Sequence, residues 1–293
     1  MIEQEKKIEL IETSLMDNGL FHQSLKEKSV GYRKKILKYI TLANAGHTGG
    51  SLSCVDILNV LYNKVLNVSP RNFTSPDRDR YIQSKGHCVE ALFVVLADQG
   101  FFPEDDLNTL SKFQSHYIGH PTKKVCGIEQ NTGALGHGLP ISVGAALAAK
   151  MDKRDYKVFT LLGDGELAEG SNWEAALSAA QYKLDNLCAI IDKNGLQISG
   201  STVHVCNIDP LDKKFENFGW AVRIVDGHDF EALENTLTSL PFEKGKPSVI
   251  IANTIKGKGI SFMENNIKWH HGVPNKEQYE KAMVELDNAL MEN

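Results

Sequence analysis

The chain is poor in cysteine, and none of its cysteines is placed to form a local pair. Cys54, Cys88, Cys126, Cys188 and Cys206 are odd in number, scattered, and never spaced C-x-x-C. That excludes a disulfide framework and a zinc ribbon, and leaves small buried thiols in a reducing compartment. Long apolar runs are also missing. The most apolar stretches, ALFVVLA (91–97) and PSVIIA (247–252), fall far short of the roughly 20 residues that cross a bilayer. The opening MIEQEKKIEL puts charges where a secretory signal needs an apolar core. No basic run is concentrated enough for a nucleic-acid footprint, and the net charge is −5. No repeat or low-complexity segment interrupts the chain. These absences leave a cytoplasmic protein with neither membrane nor nucleic acid as its partner.

What is there is ordinary in amount and informative in pattern. The 293 residues, 42% hydrophobic and 24% charged, suit a globular chain with a sizeable core. Residues 1–46 read as helical: KIELIETSLM, then YRKKILKYITLANA with apolar residues at helical spacing. CVDILNVLYNKVL (54–66), ALFVVLADQG (91–100) and the small-residue run GLPISVGAALAAKM (138–151) are further helices, and YIQS (81–84) is a short apolar run. The second half alternates. Strands at 157–163, 187–192, 220–227 and 247–254 are separated by helices at 171–184 and 230–240, and a short charged helix closes the chain at about 275–291. Val- and Ile-rich strands divided by helices predict an α/β fold, a parallel sheet with helices on both faces. Ser171 with Glu174 three residues on reads as a capping box. One domain spanning 1–293 is expected.

Within LLGDGELAEG (161–170), a strand ends by setting Asp164 between Gly163 and Gly165. The glycines let a large anion approach the backbone, and Gly165 can offer its N–H. A carboxylate repels a phosphate unless a hard divalent cation bridges them, and Mg²⁺ takes carboxylates, waters and phosphate oxygens. A second ligand is then needed from a neighbouring strand end. Asn194 lies one helix and one strand later, a βαβ step that returns to the same sheet edge. The carbonyl of Leu196, past the Gly195 turn, is a third candidate. Asp192 and Asp226 also close strands at that carboxyl edge, where such sheets bind ligands.

The segment GDGELAEGSNWEAALSAAQYKLDNLCAIIDKNG resembles the thiamine diphosphate motif, which opens with G-D-G and closes with Asn. NAGHTGGSLSCVDIL (44–58), SKGHCVEALFVVLADQG (84–100), GHPTKKVCGIEQNTGALGHGLPISVGAALA (119–148), WAVRIVDGHDFEAL and NTIKGKGISFMENNIKWHHGVP follow in the order of the pyrophosphate-binding, N-terminal part of transketolase. The resemblance covers most of residues 30–275. It implies that Asp164, Asn194 and the Leu196 carbonyl hold Mg²⁺, with Ca²⁺ or Mn²⁺ able to substitute. It implies that Gly133, Leu135, Gly163, Gly165 and Glu169 lie against thiamine diphosphate, with His87 touching both cofactor and substrate. His47, His120 and His271 would complete the catalytic set. His137 stands where transketolases usually have Gln, and HTGGSLS replaces a more Pro-rich stretch.

The implied activity is transfer of a two-carbon ketol unit from a ketose, phosphorylated or otherwise modified, to an aldose. Nothing after residue 275 matches a pyrimidine-binding domain. The expectation is therefore the first subunit of a split transketolase, completed by a partner chain in an α₂β₂ assembly. Three other readings stand beside it. The α chain of a 2-oxo acid dehydrogenase also carries G-D-G, but its pattern fits the His47 and His87 segments poorly. A deoxyxylulose-phosphate synthase shares the first His-Gly segment but keeps both halves in one chain. A nicotinamide oxidoreductase would need TGALGHG (132–138) after the first strand with an acid about 20 residues on, and neither holds. A zinc reading of the histidines in Gly-rich turns, His47, His87, His120 and His137, lacks any H-x-x-x-H or H-x-x-E-H spacing among those four.

Overall fold

The structure, a computed structural model, describes residues 25–291. The run KIELIETSLM lies outside the described residues. Helix α1 (residues 25–43) and α2 (Thr48–Val60) precede strand β1 (Arg80–Gln83). Then come α3 (Val89–Asp98), α4 (Gly138–Met151), β2 (Val158–Gly163), α5 (Gly170–Gln181) and β3 (Leu187–Lys193). A two-residue-per-strand hairpin of β4 (Leu196–Gln197) and β5 (Gly200–Ser201) leads to the short helices α6 (Thr202–Val205) and α7 (Leu211–Asn217). The chain closes with β6 (Ala221–Asp226), α8 (Phe230–Thr238), β7 (Ser248–Asn253) and α9 (Lys276–Met291).

The five longer strands form one sheet in the order β1-β2-β3-β7-β6, and every neighbouring pair is parallel. Side chains of a strand alternate between faces, and two separate cores follow from that alternation. Phe159, Leu161, Cys188, Ile190, Ile250 and Ala252 point into a core shared with α1, α2, α3, α8 and α9. Val158, Leu162, Leu187, Ala189, Ile191, Val249 and Ile251 point into the other, shared with α4, α5 and α7. β2 is buried along its whole length and β3 for all but its last residue, as parallel strands covered on both faces must be. β6 departs from that expectation. It is an edge strand, and Arg223, Ile224 and Asp226 are exposed.

Two boundaries differ from the sequence reading for physical reasons. α2 begins at Thr48, not Cys54, although Gly49 and Gly50 disfavour helix. The glycines are needed for close approach: a Cβ at Gly49 would lie 3.0 Å from the Trp269 carbonyl, and one at Gly50 only 2.5 Å from Cys88 Sγ. All 13 residues of α2 are buried, so tertiary packing overrides propensity. The capping box is not formed. α5 starts at Gly170, Glu174 is exposed, and the Ser171 hydroxyl instead donates to the Gly136 carbonyl at 2.7 Å. Ser171 thereby ties α5 to the loop entering α4. Among the described residues, no helix is long and apolar enough to cross a membrane.

Candidate active site

The carboxyl ends of β2 and β3 set the geometry. Gly163 pairs in register with Asp192, so the segments leaving both strands emerge side by side. Asp164 is buried, 2% exposed, and starts a single 3-10 turn, Gly165–Ala168. Its Oδ1 accepts from Gly165 N–H at 2.9 Å and its Oδ2 from Gly195 N–H at 2.6 Å, which joins the two turns directly. Asn194 Oδ1 accepts from Leu196 N–H at 3.1 Å, and its Nδ2 reaches Asp192 Oδ2 at 3.3 Å. Asp164, Asn194 and the Leu196 carbonyl thus share one corner, all hard oxygen donors of the kind Mg²⁺ requires.

The electrostatics of that corner suit a cation. Burial, and then the neighbouring Asp192 charge, push the Asp164 carboxyl up to about 6. Neither Asp164 oxygen meets a cationic side chain among the described residues; both accept only backbone N–H groups. Gln197 Oε1, beside Gly165, is buried without a hydrogen-bond partner among the described residues. A buried carboxylate held only by amides, flanked by two further oxygen donors, fits a bound divalent ion. In this structure the Gly165 N–H is directed to Asp164 rather than left open for an anion.

Asp192 is fully buried and saturated. It accepts from Lys85, Ser53 (2.6 Å), Thr254 and Asn194. Although burial works against its charge, the Asp192 carboxylate holds the Lys85 ammonium well above its ordinary range. Lys256 differs. It is 2% exposed, forms no ion pair among the described residues, and spends its donors on the Leu196 carbonyl (3.3 Å) and His270 Nδ1 (2.9 Å). Burial first, and Lys85 second, lower its pKa. A buried ammonium without a carboxylate, aimed into a cleft, is fitted to an anion that arrives with the ligand.

The cleft itself, about 400 Å³, runs from this corner to a group of imidazoles. His47 stands at the N-cap position of α2 and His87 in the 3-10 turn Gly86–Cys88 after β1, while His270 and His271 follow the turn Ile267–Trp269. Ring centroids are 4.3 Å apart for His47 and His271, 5.2 Å for His47 and His87, and 5.6 Å for the stacked pair His87 and His270. His120 packs 6.1 Å from His47 and under Gly133, whose φ of +130° and missing Cβ make room for that ring. Burial lowers His47 to about 4 and, with Lys256 second, His270 to about 3. Burial, then His87, lowers His120 as well. His47 and His270 are therefore neutral at pH 7.

All but one of the residues assigned from sequence to cofactor, metal or catalysis line this cleft. Gly133, Leu135, Gly163, Asp164, Gly165, Glu169, Asn194, Leu196, His47, His87 and His271 do so; His120 sits behind Gly133. Glu169 is exposed at the rim, at the N-cap position of α5 but making no side-chain cap bond. His137 is exposed, its Nδ1 3.1 Å from the Leu135 carbonyl, and is not among the lining residues. Sequence reasoning passed over Lys85, Lys256, His270 and Glu166. Buried Glu166 binds the Ser84 hydroxyl, Gly136 N–H (2.9 Å) and Gly163 N–H (3.0 Å), clasping three loops together. The D-G-E spacing could have flagged it. A wider cleft of about 560 Å³ lies elsewhere, beside Asp77, Asp79 and Asp152. Two of those acids are already engaged: Asp77 with Arg154, and Asp79 with the N–H groups of Asn67 and Lys157.

A parallel sheet with oxygen donors at two adjacent strand ends, facing a histidine-lined cleft, defines an α/β ligand-binding class. The chain belongs to the family described as transketolase, thiamine diphosphate binding domain, which matches residues 29–286. It is 48% identical over 268 residues to an apulose-4-phosphate transketolase subunit from Phocaeicola vulgatus, covering 92% of this chain and 95% of that one. It is 51% identical over 272 residues to the subunit of the same name from Actinobacillus succinogenes, covering 92% and 98%. Transketolase from Campylobacter jejuni superposes with a TM-score of 0.84 at 32% identity, over 90% of this chain and 43% of that chain. The chain thus spans nearly the full length of the two subunits and under half of that transketolase.

Proposed function

We infer that this chain is the thiamine diphosphate-binding subunit of a two-chain transketolase, active on a ketose phosphate donor and an aldose acceptor. One observation carries the reading: a single cleft joins an oxygen corner (Asp164, Asn194, the Leu196 carbonyl) to an imidazole cluster. The family supports the cofactor. Two relatives of similar length are each named as one subunit of a transketolase, which supports a partner chain. Their shared substrate name makes apulose-4-phosphate the first donor to test.

Asp164, Asn194 and the Leu196 carbonyl would hold Mg²⁺, and Lys256 would meet the diphosphate. Gly163 and Gly165 keep that corner free of side chains, and Gly133 and Leu135 would lie along the cofactor with Glu169 at its rim. When bound, thiamine diphosphate supplies a carbon nucleophile and an electron sink for breaking and making a carbon–carbon bond beside a carbonyl. The chain's own part is proton handling. His47, His87 and His271 line the cleft where a sugar would lie, and a neutral imidazole can take a hydroxyl proton and return it. His120 braces Gly133 from behind and adds a fourth ring to the cluster.

The partner subunit would supply the pyrimidine-binding half, in an α₂β₂ assembly of the kind closed symmetry favours. The test is reconstitution. This chain alone, with Mg²⁺ and thiamine diphosphate, should show no ketol transfer; adding a second chain with a pyrimidine-binding domain should restore it. Transfer by the isolated chain would refute the two-chain reading, and a light-scattering mass other than two copies of each would refute the stoichiometry.

A further inference from the structure

Three imidazoles at the mouth of the cleft form a set of their own. One ligand atom each from His47, His270 and His271 lies within 4.8 Å of the other two. His47 Nδ1 is buried and has no hydrogen-bond partner among the described residues. Such spacing is invisible in the sequence, because the ring from the start of α2 meets two rings from the loop before α9. The rings are half-buried, half-buried and exposed in that order, so the set is open to solvent on the His271 side.

The chemistry of this set differs from that of the oxygen corner. Imidazole nitrogens select Zn²⁺, Co²⁺, Ni²⁺ or Cu²⁺, whereas carboxylate and carbonyl oxygens select Mg²⁺ and Ca²⁺. Zn–N bonds of about 2.0–2.1 Å in a tetrahedron place the nitrogens about 3.3 Å apart. The widest pair must therefore close by at most about 1.5 Å, a displacement that side-chain rotation covers. Three histidines with an open fourth position are a recognised zinc arrangement. One feature opposes it: Lys256 Nζ lies 2.9 Å from His270 Nδ1, a like charge beside the incoming ion.

We propose that His47, His270 and His271 form a second metal site, for a borderline transition-metal dication such as Zn²⁺, and that its occupancy shuts the sugar out of the cleft. The ion takes three ring nitrogens and a water, and no covalent bond of the protein is made or broken. Mg²⁺ stays at the oxygen corner, so the two cations do not compete. The metal site stands on geometry alone; the exclusion of sugar rests on the function proposed above.

The full chain titrated with Co²⁺ tests the site directly, since tetrahedral Co²⁺ absorbs far more strongly in the visible than octahedral Co²⁺. We expect one tetrahedral Co²⁺ per chain, displaced by Zn²⁺ and not by Mg²⁺. Asp164→Asn should leave it intact. His270→Ala and the milder His270→Gln should weaken it by more than the about 10–100-fold typical of losing an outer partner, with circular dichroism confirming the fold. Lys256→Met should tighten it. Co²⁺ binding in both His270 variants equal to that of the wild type, or binding lost in Asp164→Asn, overturns the site. In the reconstituted enzyme Zn²⁺ should inhibit competitively with sugar. Co²⁺ binding that depends on His270, together with inhibition that sugar cannot relieve, keeps the site and overturns the exclusion, placing the error in the sugar assignment.

Discussion

At the strand-end side of the cleft the candidate metal donors are oxygens, and the two from side chains are fixed by backbone N–H groups. Asp164 is held by two N–H groups, Asn194 by a third, and the register of β2 on β3 sets their spacing. At the mouth the polar groups are ring nitrogens on loops and helix starts, touching one another edge to face, and one of them has no partner at all among the described residues. The contrast teaches how one cleft separates two tasks. Holding a charged cofactor calls for rigid, hard donors at a sheet edge. Moving protons on a sugar calls for ring nitrogens that can take up a proton and return it. Lys256 is the side chain that touches both ends, through the Leu196 carbonyl and His270.

The sharpest way to break this comparison is Asp164→Ala. Removing the carboxylate should abolish saturable Mg²⁺-dependent thiamine diphosphate binding, while the imidazole end keeps its geometry. Calorimetry on the assembled enzyme reads it; unchanged affinity would sink the cation assignment. Next come His87→Ala and His271→Ala, each expected to cut turnover by about 10²–10⁴-fold with cofactor affinity nearly unchanged. A variant that instead loses cofactor and keeps its rate per occupied site belongs to the other end of the cleft.

Lys256→Met should act on both ends with opposite signs. A charge-assisted hydrogen bond contributes roughly 1.5–3 kcal/mol, so cofactor affinity should fall by about 10–100-fold. The same variant removes a like charge from His270, so the His270 pKa, followed by NMR, should rise. A fall in affinity with no change at His270 would show that Lys256 serves the oxygen corner alone.

The oxygen corner was legible because a βαβ step is regular: G-D-G at one strand end and N-G at the next must return to one edge. Four of the five strands of the sheet were legible, since continuous Val and Ile runs mark strands covered on both faces; β6 at one edge departs in its exposure, and β1 at the other edge read only as a short apolar run. The mouth was legible only through family resemblance. Gly-rich turns hold His47, His87 and His120, but no period relates them, and His270 looks like a mere neighbour of His271. Lys85 and Lys256 were missed because a buried charge carries no signal in sequence and its partners come from distant segments, whereas Glu166 had a signal in the D-G-E spacing. The start of α2 was missed because two glycines that look like a turn are there for contact with Cys88 and Trp269.

The smallest expected effect on the cleft comes from the support behind Lys256. Arg33 grips Asp56 with two hydrogen bonds of 2.8 and 2.7 Å, His228 Nδ1 lies 2.7 Å from the same carboxylate, and His228 Nε2 accepts Ile255 N–H at 2.9 Å. The chain next to Lys256 is thus anchored to α1 and α2. Burial alone would raise Asp56, but the Arg33 guanidinium, with His228 helping, holds its carboxyl well below the usual range. A depressed carboxyl binds fewer protons folded than unfolded. Its stabilisation is therefore fully present above the ordinary value of about 3.9 and is lost as pH falls below it. Asp56→Asn leaves Arg33 buried without its counter-charge and should cost about 3–5 kcal/mol near neutral pH. Because the network touches the Lys256 loop through Ile255 N–H and through the Lys258 carbonyl, which accepts from Arg33 Nε at 2.9 Å, and not through Lys256 itself, cofactor affinity should change by less than about tenfold. Urea titrations from pH 7 down to pH 3 should show the gap between wild type and variant narrowing below pH 4. A gap that stays constant over that range would mean that the Asp56 charge is not what anchors the Lys256 loop.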